Sequence, residues 1–452
     1  MTEGIPTELG TAKISTLLRQ YAIPAIIAMT ASSLYNMVDS IFIGQGVGTY
    51  AIAGLALTFP LMNLGAAFGS LVGAGAATLV SVLLGQKNYD VAQKVLGNVV
   101  VLNIIIGILY MAVVLIFLKP ILFFFGASDL TYQYAKDYME VILIGNIITH
   151  MYFGLNAVQR SAGFPKKAMM ATIATVIINT ILDPIFIYGF GWGIRGAAIA
   201  TILAQLISLC WLLKMFSNTE QVIHFKKGIF RLKLRIVKDS LAIGLSPFLM
   251  NVAACLIVII VNQGLKRHGG DIAIAAYGIV NRVAFVVVMI VMGLNQGMQP
   301  IAGYNYGAKN FRRLKRILFT TMGWATLITT IGFAIGEIFP QVLVGAFTTD
   351  PVLINHTVKG MRIVLMFFPL IGIQMVTSNF FLSIGMAKIS IFLSLTRQLI
   401  FLLPCLIILP KFYDVTGIWV SMPISDLLAC AVSVLILIYQ MRKFKKYINY
   451  ES

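Results

Sequence analysis

Charge is what this chain has least of. Only 11% of its 452 residues are Asp, Glu, Lys or Arg, and the acids number 16 against 34 bases. Ordinary soluble domains carry about 25% charged and roughly 45–50% apolar residues, whereas here the apolar share is 59%. A soluble globular fold is excluded on that ground. Cysteine is scarce as well. Cys210, Cys255, Cys405 and Cys430 stand singly inside apolar stretches, without the paired spacing of a zinc or redox motif, and read as small packing residues. The start, MTEGIPTELGTAKIS, has no basic stretch followed by a short apolar core, so no cleavable leader is expected and the first helix would serve as its own insertion signal. H-E-x-x-H, G-x-S-x-G and Walker patterns are missing too, so the chain is not expected to be an enzyme.

What is present is long apolar sequence. A spanning helix needs about 20 mostly apolar residues, and twelve such runs occur, near 14–43, 50–84, 92–118, 130–160, 166–188, 194–216, 236–264, 272–305, 312–338, 355–384, 387–409 and 415–440. The expected fold is an all-α integral membrane protein with twelve transmembrane helices. Runs longer than the bilayer thickness should tilt or project beyond it.

The net charge of +18 has a topological reading. With the amino terminus inside, the inner segments collect Lys87, Lys94, Arg160, Lys166, Lys167, Lys226, Lys227, Arg231, Lys309, Arg312, Arg313, Lys315 and Arg316 among others. The outer ones hold only Lys119, Lys136, Arg195, Lys266, Arg267 and Lys411. This bias predicts both termini in the cytoplasm, in the inner (plasma) membrane of a cell, with the tail MRKFKKY against anionic lipid headgroups. It also removes the reason to expect nucleic acid as a partner. A monomer is expected.

Shifting the chain by about 222 residues against itself aligns related patterns. GQKNYDVAQK (85–94) matches GAKNFRRLKR (307–316), YAIPAI (21–26) matches GLSPFL (244–249), and AIAGLA (51–56) matches AIAAYG (273–278). Six helices per half is an even number, so the repeat is parallel. The expected organisation is an amino lobe 1–216, a cytoplasmic linker 217–235 and a carboxy lobe 236–452, with a ligand cleft between rocking lobes near the bilayer midplane.

Only a few acids fall well inside the apolar runs: Asp39, Asp183 and Asp426. An ionisable group at such depth is costly and marks a functional position. Asp39 precedes Gly44 by five residues and Asp183 precedes Gly189 by six, which places both roughly 8–9 Å below the outer boundary at about 1.5 Å per residue. Asn179 lies one turn from Asp183 on the same face, and Thr201 enters from the sixth helix at a similar depth. These four residues suit a proton or sodium site: two carboxylates that resist joint ionisation, or hard oxygen donors for a small cation. Asn179 and Thr201 are equally suited to tying helices together. Asp426 either lines the cleft or pairs with a buried base, Arg282 or Arg397. His150 reads as an interhelical histidine before it reads as a proton relay. Pro24 and Pro247 occupy matching places and should kink their helices. Tyr35, Met37, His150, Gln205, Met250, Arg282, Met289 and Asp426 are candidate cleft residues, with Met292 and Met298 nearby, because adaptable methionines suit varied apolar ligands.

YNMVDSIFIGQGVG, GQKNYDVAQK, RSAGFPKKA and NTILDPIFIYGFGWGIRGAAIAT together resemble the multidrug and toxic compound extrusion (MATE) family, and nearly the whole chain is similar to its MepA-like branch. The resemblance implies two six-helix lobes and export of cationic or amphipathic drugs in exchange for inward H+ or Na+, with no other cofactor. It further implies a cation site at Asp39, Asn179, Asp183 and Thr201, and a bending role for Pro24. Some members carry a glutamate in the seventh helix, whereas SPFLMNVAACLIVIIVN has no acid. A lipid-linked saccharide flippase of the same superfamily is the second reading, disfavoured because few buried bases are available for an anionic headgroup.

Overall fold

The computed structural model describes the backbone of residues 7–450, and their side chains except at Asn36, Met37, Thr49, Asp271 and 445–450. Every regular element among the described residues is a helix. In chain order these are α1 (Glu8–Thr11), α2 (Ile14–Gly46), α3 (Thr49–Gly85), α4 (Tyr89–Ile116), α5 (Leu118–Phe124), α6 (Asp129–Ile144), α7 (Asn146–Ser161), α8 (Pro165–Pro184) and α9 (Gly193–Phe216). After the linker come α10 (Leu234–Gly270) and α11 (Ile272–Gly307), which run on from one another through a non-helical Gly270. Then follow α12 (Phe311–Ile338), α13 (Pro340–Gly345), α14 (Pro351–Leu365), α15 (Phe368–Ser383), α16 (Ala387–Leu395), α17 (Leu403–Ile408) and α18 (Pro410–Tyr450).

Ten of these segments are long and apolar enough to cross a membrane, counting α8 and α16–α17 with their π-helical continuations. The pairs α6–α7 and α14–α15 each make one further span, bent by 54° and 50°. The expected twelve spans are therefore present, and the fourth and tenth are broken. In lipid the hydrophobic effect does not drive helices together, so close packing of small residues does. A Cβ on Gly73 of α3 would come 3.2 Å from the Gly154 Cα of α7, and one on Gly372 of α15 would come 2.9 Å from the Ala325 backbone of α12.

The repeat is written in the backbone. Left-handed φ values occur at Gly48 and Gly270, at Lys87 and Lys309, and at Gly163 and Gly385, each pair about 222 residues apart. A lysine in that region bears a steric cost that glycine escapes, yet both halves retain it. Beside each lysine an asparagine caps the next helix: Asn88 accepts from the Val91 N–H and Asn310 from the Arg313 N–H.

The chain forms two compact units, Ile27–Phe248 and Leu9–Ile26 with Leu249 onward. These limits differ from the lobe boundaries expected at 216 and 236. In the first unit Gly75 of α3 lies against the Ser240 carbonyl and Gly244 of α10 against the Leu71 carbonyl. In the second unit Gly293 and Gly297 of α11 lie against the Cα atoms of Ile26 and Ala22 of α2. Both α2 and α10 thus pass from one unit to the other, and each does so just after its proline, Pro24 or Pro247. The start of α2 is also tied down inside the second unit. The Arg313 guanidinium donates to the carbonyls of Leu9, Thr11 and Ala12, and the Asn305 amide donates to Leu9.

The linker belongs to the first unit. Asn98 of α4 donates to the Arg231 carbonyl at 3.3 Å and accepts from the Lys233 N–H at 3.0 Å. His224 packs on Gln93, 3.1 Å from its amide nitrogen.

Candidate cation site

In the first unit, α2, α8 and α9 bring together all four residues expected to form the site. Asp39 is 5% exposed, Asp183 is fully buried, Asn179 is 1% exposed and Thr201 is 6% exposed. The two carboxyl groups are near enough to act on one another's charge. The Asn179 amide donates to Asp183 Oδ1 and to Thr201 Oγ1, both at 3.3 Å. Thr201 donates to the Ala197 carbonyl, 3.1 Å away. Three buried oxygens have no partner: Asp39 Oδ1, Asn179 Oδ1 and Asp183 Oδ2. A proton or a small cation is the kind of occupant that such acceptors fit, since carboxylate and amide oxygens are the donors hard cations take. No group of three or more His, Cys, Asp or Glu placed to hold a metal ion occurs among the described residues.

Local structure explains how Asp183 is presented. It is followed by Pro184, which supplies no N–H, and the helix opens into a π turn over Ile185–Gly189. Wide turns of this kind displace side chains from the α-helical register and recur at functional sites. The turn is then fastened to the helix that carries Asp39, for the Tyr188 hydroxyl donates to the Phe42 carbonyl at 3.1 Å.

Tyr35, expected to line the cleft, instead joins this cluster. Its hydroxyl lies 3.2 Å from Thr201 Oγ1. Because the single Thr201 proton goes to Ala197, Tyr35 is the donor in that pair. Tyr138 of α6, buried at 1% exposure, stands close to Asp39, Tyr35 and Asp183. Sequence reasoning missed it, since one tyrosine among many aromatics carries no signal of depth or direction.

Other expected residues fall elsewhere. Gln205, one turn beyond Thr201, accepts from the Thr149 hydroxyl at 2.5 Å. His150 is fully buried, with Nε2 2.9 Å from the Gly65 carbonyl and no partner on Nδ1. It is packed among α3, α4 and α7 and does not line an open cleft. Met298 is likewise fully buried, while Met250, Met289 and Met292 are half-buried. The side chain of Met37 lies outside the described residues. Arg282 is exposed, contrary to its expected burial, and does not pair with Asp426. That role falls to Arg397, whose Nε donates to Asp426 Oδ1 at 2.5 Å within the second unit.

Comparison with known proteins bears on the whole chain. The MatE family profile matches residues 24–185 and 242–407. The multidrug export protein MepA of Staphylococcus aureus (strain NCTC 8325 / PS 47) is 26% identical over 425 residues, covering 94% of this chain and 93% of its own. The MepA protein of Staphylococcus haemolyticus (strain JCSC1435) is 25% identical over 431 residues, 95% and 94% of the two chains. Among solved structures, an outward-facing multidrug resistance MATE family transporter superposes with a TM-score of 0.92 at 23% identity, covering 99% of both chains. A MATE in the bent conformation gives 0.93, also at 23% identity and 99% of both.

Proposed function

We propose that this protein, whose chain belongs to the MatE family, exports cationic or amphipathic small molecules in exchange for inward protons or sodium ions bound at Asp39 and Asp183. The observation that supports the coupling is the pair of buried carboxyl groups with unpartnered oxygens inside a membrane-spanning unit. Two neighbouring carboxylates taken out of water resist joint ionisation, so the pair is expected to hold one proton. A second proton, or a sodium ion on the unpartnered oxygens of Asp39, Asn179 and Asp183, would remove the remaining negative charge.

Exchange requires that ion and drug favour different states of the protein, since a ligand shifts an equilibrium only by its differential affinity. Each charge entering down the membrane potential supplies about 2.3 kcal/mol per 100 mV. Two inward protons against one outward monovalent cation would leave net charge moving inward. Pro24, at the point where α2 passes from one unit to the other, is a suitable place for that helix to bend.

The flippase reading gains no support from the bases. Arg397 is matched with Asp426, and Arg362 lies 3.7 Å from Glu337. Drug efflux from proteoliposomes under an imposed proton or sodium gradient tests the proposal. Asp39→Asn and Asp183→Asn are each expected to reduce gradient-driven export at least tenfold, an effect of about 1.4 kcal/mol. Full gradient-driven export by both variants would overturn the coupling site, and export under only one of the gradients identifies the ion.

A further inference from the structure

The second unit holds a charge arrangement that the coupling scheme above leaves unused. Asp426 of α18 is 2% exposed. Its Oδ1 receives the Arg397 Nε, but its Oδ2 is buried without a partner. Arg397 sits on a π-helical stretch, Thr396–Leu402, and its side chain is 31% exposed. The guanidinium is thus partly exposed, while the carboxylate behind it is sealed. Around the pair stand Tyr277 of α11, close to Arg397, and Cys430, one turn along α18 from Asp426.

Of the charged groups on α10 and α11, which pack on α18, Lys266, Arg267, His268 and Arg282 are exposed, and His268 lies 3.2 Å from Asp414. His356, Lys359 and Arg362 of α14 and Lys388 of α16 are exposed, α15 has no titratable residue, and α17 contributes only Cys405. On α12 the bases lie in the first two turns and Glu337 near the end.

The repeat sharpens the meaning of this pair. Asp426 corresponds to Gln205, which in the first unit ties α9 to α7 through the Thr149 hydroxyl. A neutral bond therefore suffices to join helices at that place. A buried ion pair is a poor substitute for stability alone, because desolvating both charges offsets their attraction. The unpartnered Oδ2 adds a position that a proton can fill and that a drug is too large to reach.

We propose that Asp426 is a second proton-binding group of the exporter and Arg397 its internal counter-cation. This rests on the reading of the protein as an exporter of cations. A proton from water forms an O–H bond on Asp426 Oδ2, and the pair passes from net zero to one positive charge held by Arg397. That uncompensated charge lowers the unit's affinity for a cationic drug, so proton uptake and drug release become linked through charge.

The test measures binding of tetraphenylphosphonium, a lipophilic monovalent cation, to purified protein near pH 6 and near pH 8. The starting protein carries Asp39→Asn and Asp183→Asn, so the first site cannot contribute. Its affinity is expected to be at least about fivefold weaker at the lower pH, at the low end of measured coupling between sites. Adding Asp426→Asn together with Arg397→Gln, which removes both charges and leaves neither buried alone, should abolish the difference. Affinity that is already pH-independent before the pair is removed, or a pH dependence that survives its removal, overturns the proposal. Should either protein fail to fold or to bind the probe, the Asp426→Asn/Arg397→Gln pair is introduced alone. Protons released per probe bound should then fall by about one relative to wild type, and an unchanged number overturns the proposal. Failure of the Asp39/Asp183 coupling site is read separately, from gradient-driven export by its own variants.

Discussion

Thr201 is among the most heavily committed hydroxyls in the first unit. It donates to Ala197, accepts from Asn179 and accepts from Tyr35, which uses one proton and two lone pairs and leaves nothing spare. Thr201→Val, nearly the same shape, is expected to strand the Asn179 and Tyr35 donors at a cost of about 1–3 kcal/mol each. Gradient-driven efflux should fall about tenfold or more, with Thr201→Ser close to wild type. Equal activity of the two variants would show the hydroxyl to be dispensable. The four central site residues were legible in the sequence because acids and amides are expensive in apolar helices, and because counting turns gives depth. Rotation about a helix axis is not given by counting. Tyr35 therefore could not be separated from cleft residues, nor Arg397 from Arg282 as the partner of Asp426.

At the scale of elements, span positions followed from hydropathy to within a few residues, but their interruptions did not. The bend between α6 and α7 falls at Gly145, inside an unbroken apolar run, and a Cβ there would collide with Ile202 of α9. A hydropathy average carries no trace of such contact. The π turns after Asp183 and before Leu403 are equally silent, since no residue type demands them. Close approach does give a sharp prediction. Gly372→Leu must displace the backbone of α12 at Ala325 and the Thr329 hydroxyl, where even a Cβ comes within 3.0 Å. It is expected to lower the midpoint of thermal aggregation, followed by fluorescence-detected size exclusion, by several degrees, whereas Gly323→Leu, whose Cβ would meet nothing within 4 Å, should leave it unchanged. The Arg313 clamp is testable in the same manner. Arg313→Ala removes all three guanidinium contacts to Leu9, Thr11 and Ala12 and should make the segment near Lys13 more readily cut by trypsin.

Over the whole molecule, the repeat was visible in three pairs of short matching strings, and the backbone repeats it at Lys87 and Lys309, where side-chain identity alone gave no hint of a left-handed φ. The charge bias places Gly228 of the linker inside and Gly126 outside. With the four native cysteines replaced by alanine, Gly126→Cys should react with a membrane-impermeant maleimide on intact cells and Gly228→Cys only after the membrane is opened. The reverse pattern would invert the topology. The division of α2 and α10 across the two units bears on how the protein is made. Residues Ala22 and Ile26 leave the ribosome early, but the glycines they pack on, Gly293 and Gly297, follow roughly 270 residues later, which at about 5–20 residues per second is a delay of roughly 15–50 s. During that interval the opening half of the first helix stands in lipid with its partner still unsynthesised. Insertion of this protein thus begins with a piece that must wait for about two thirds of the chain before it can be seated.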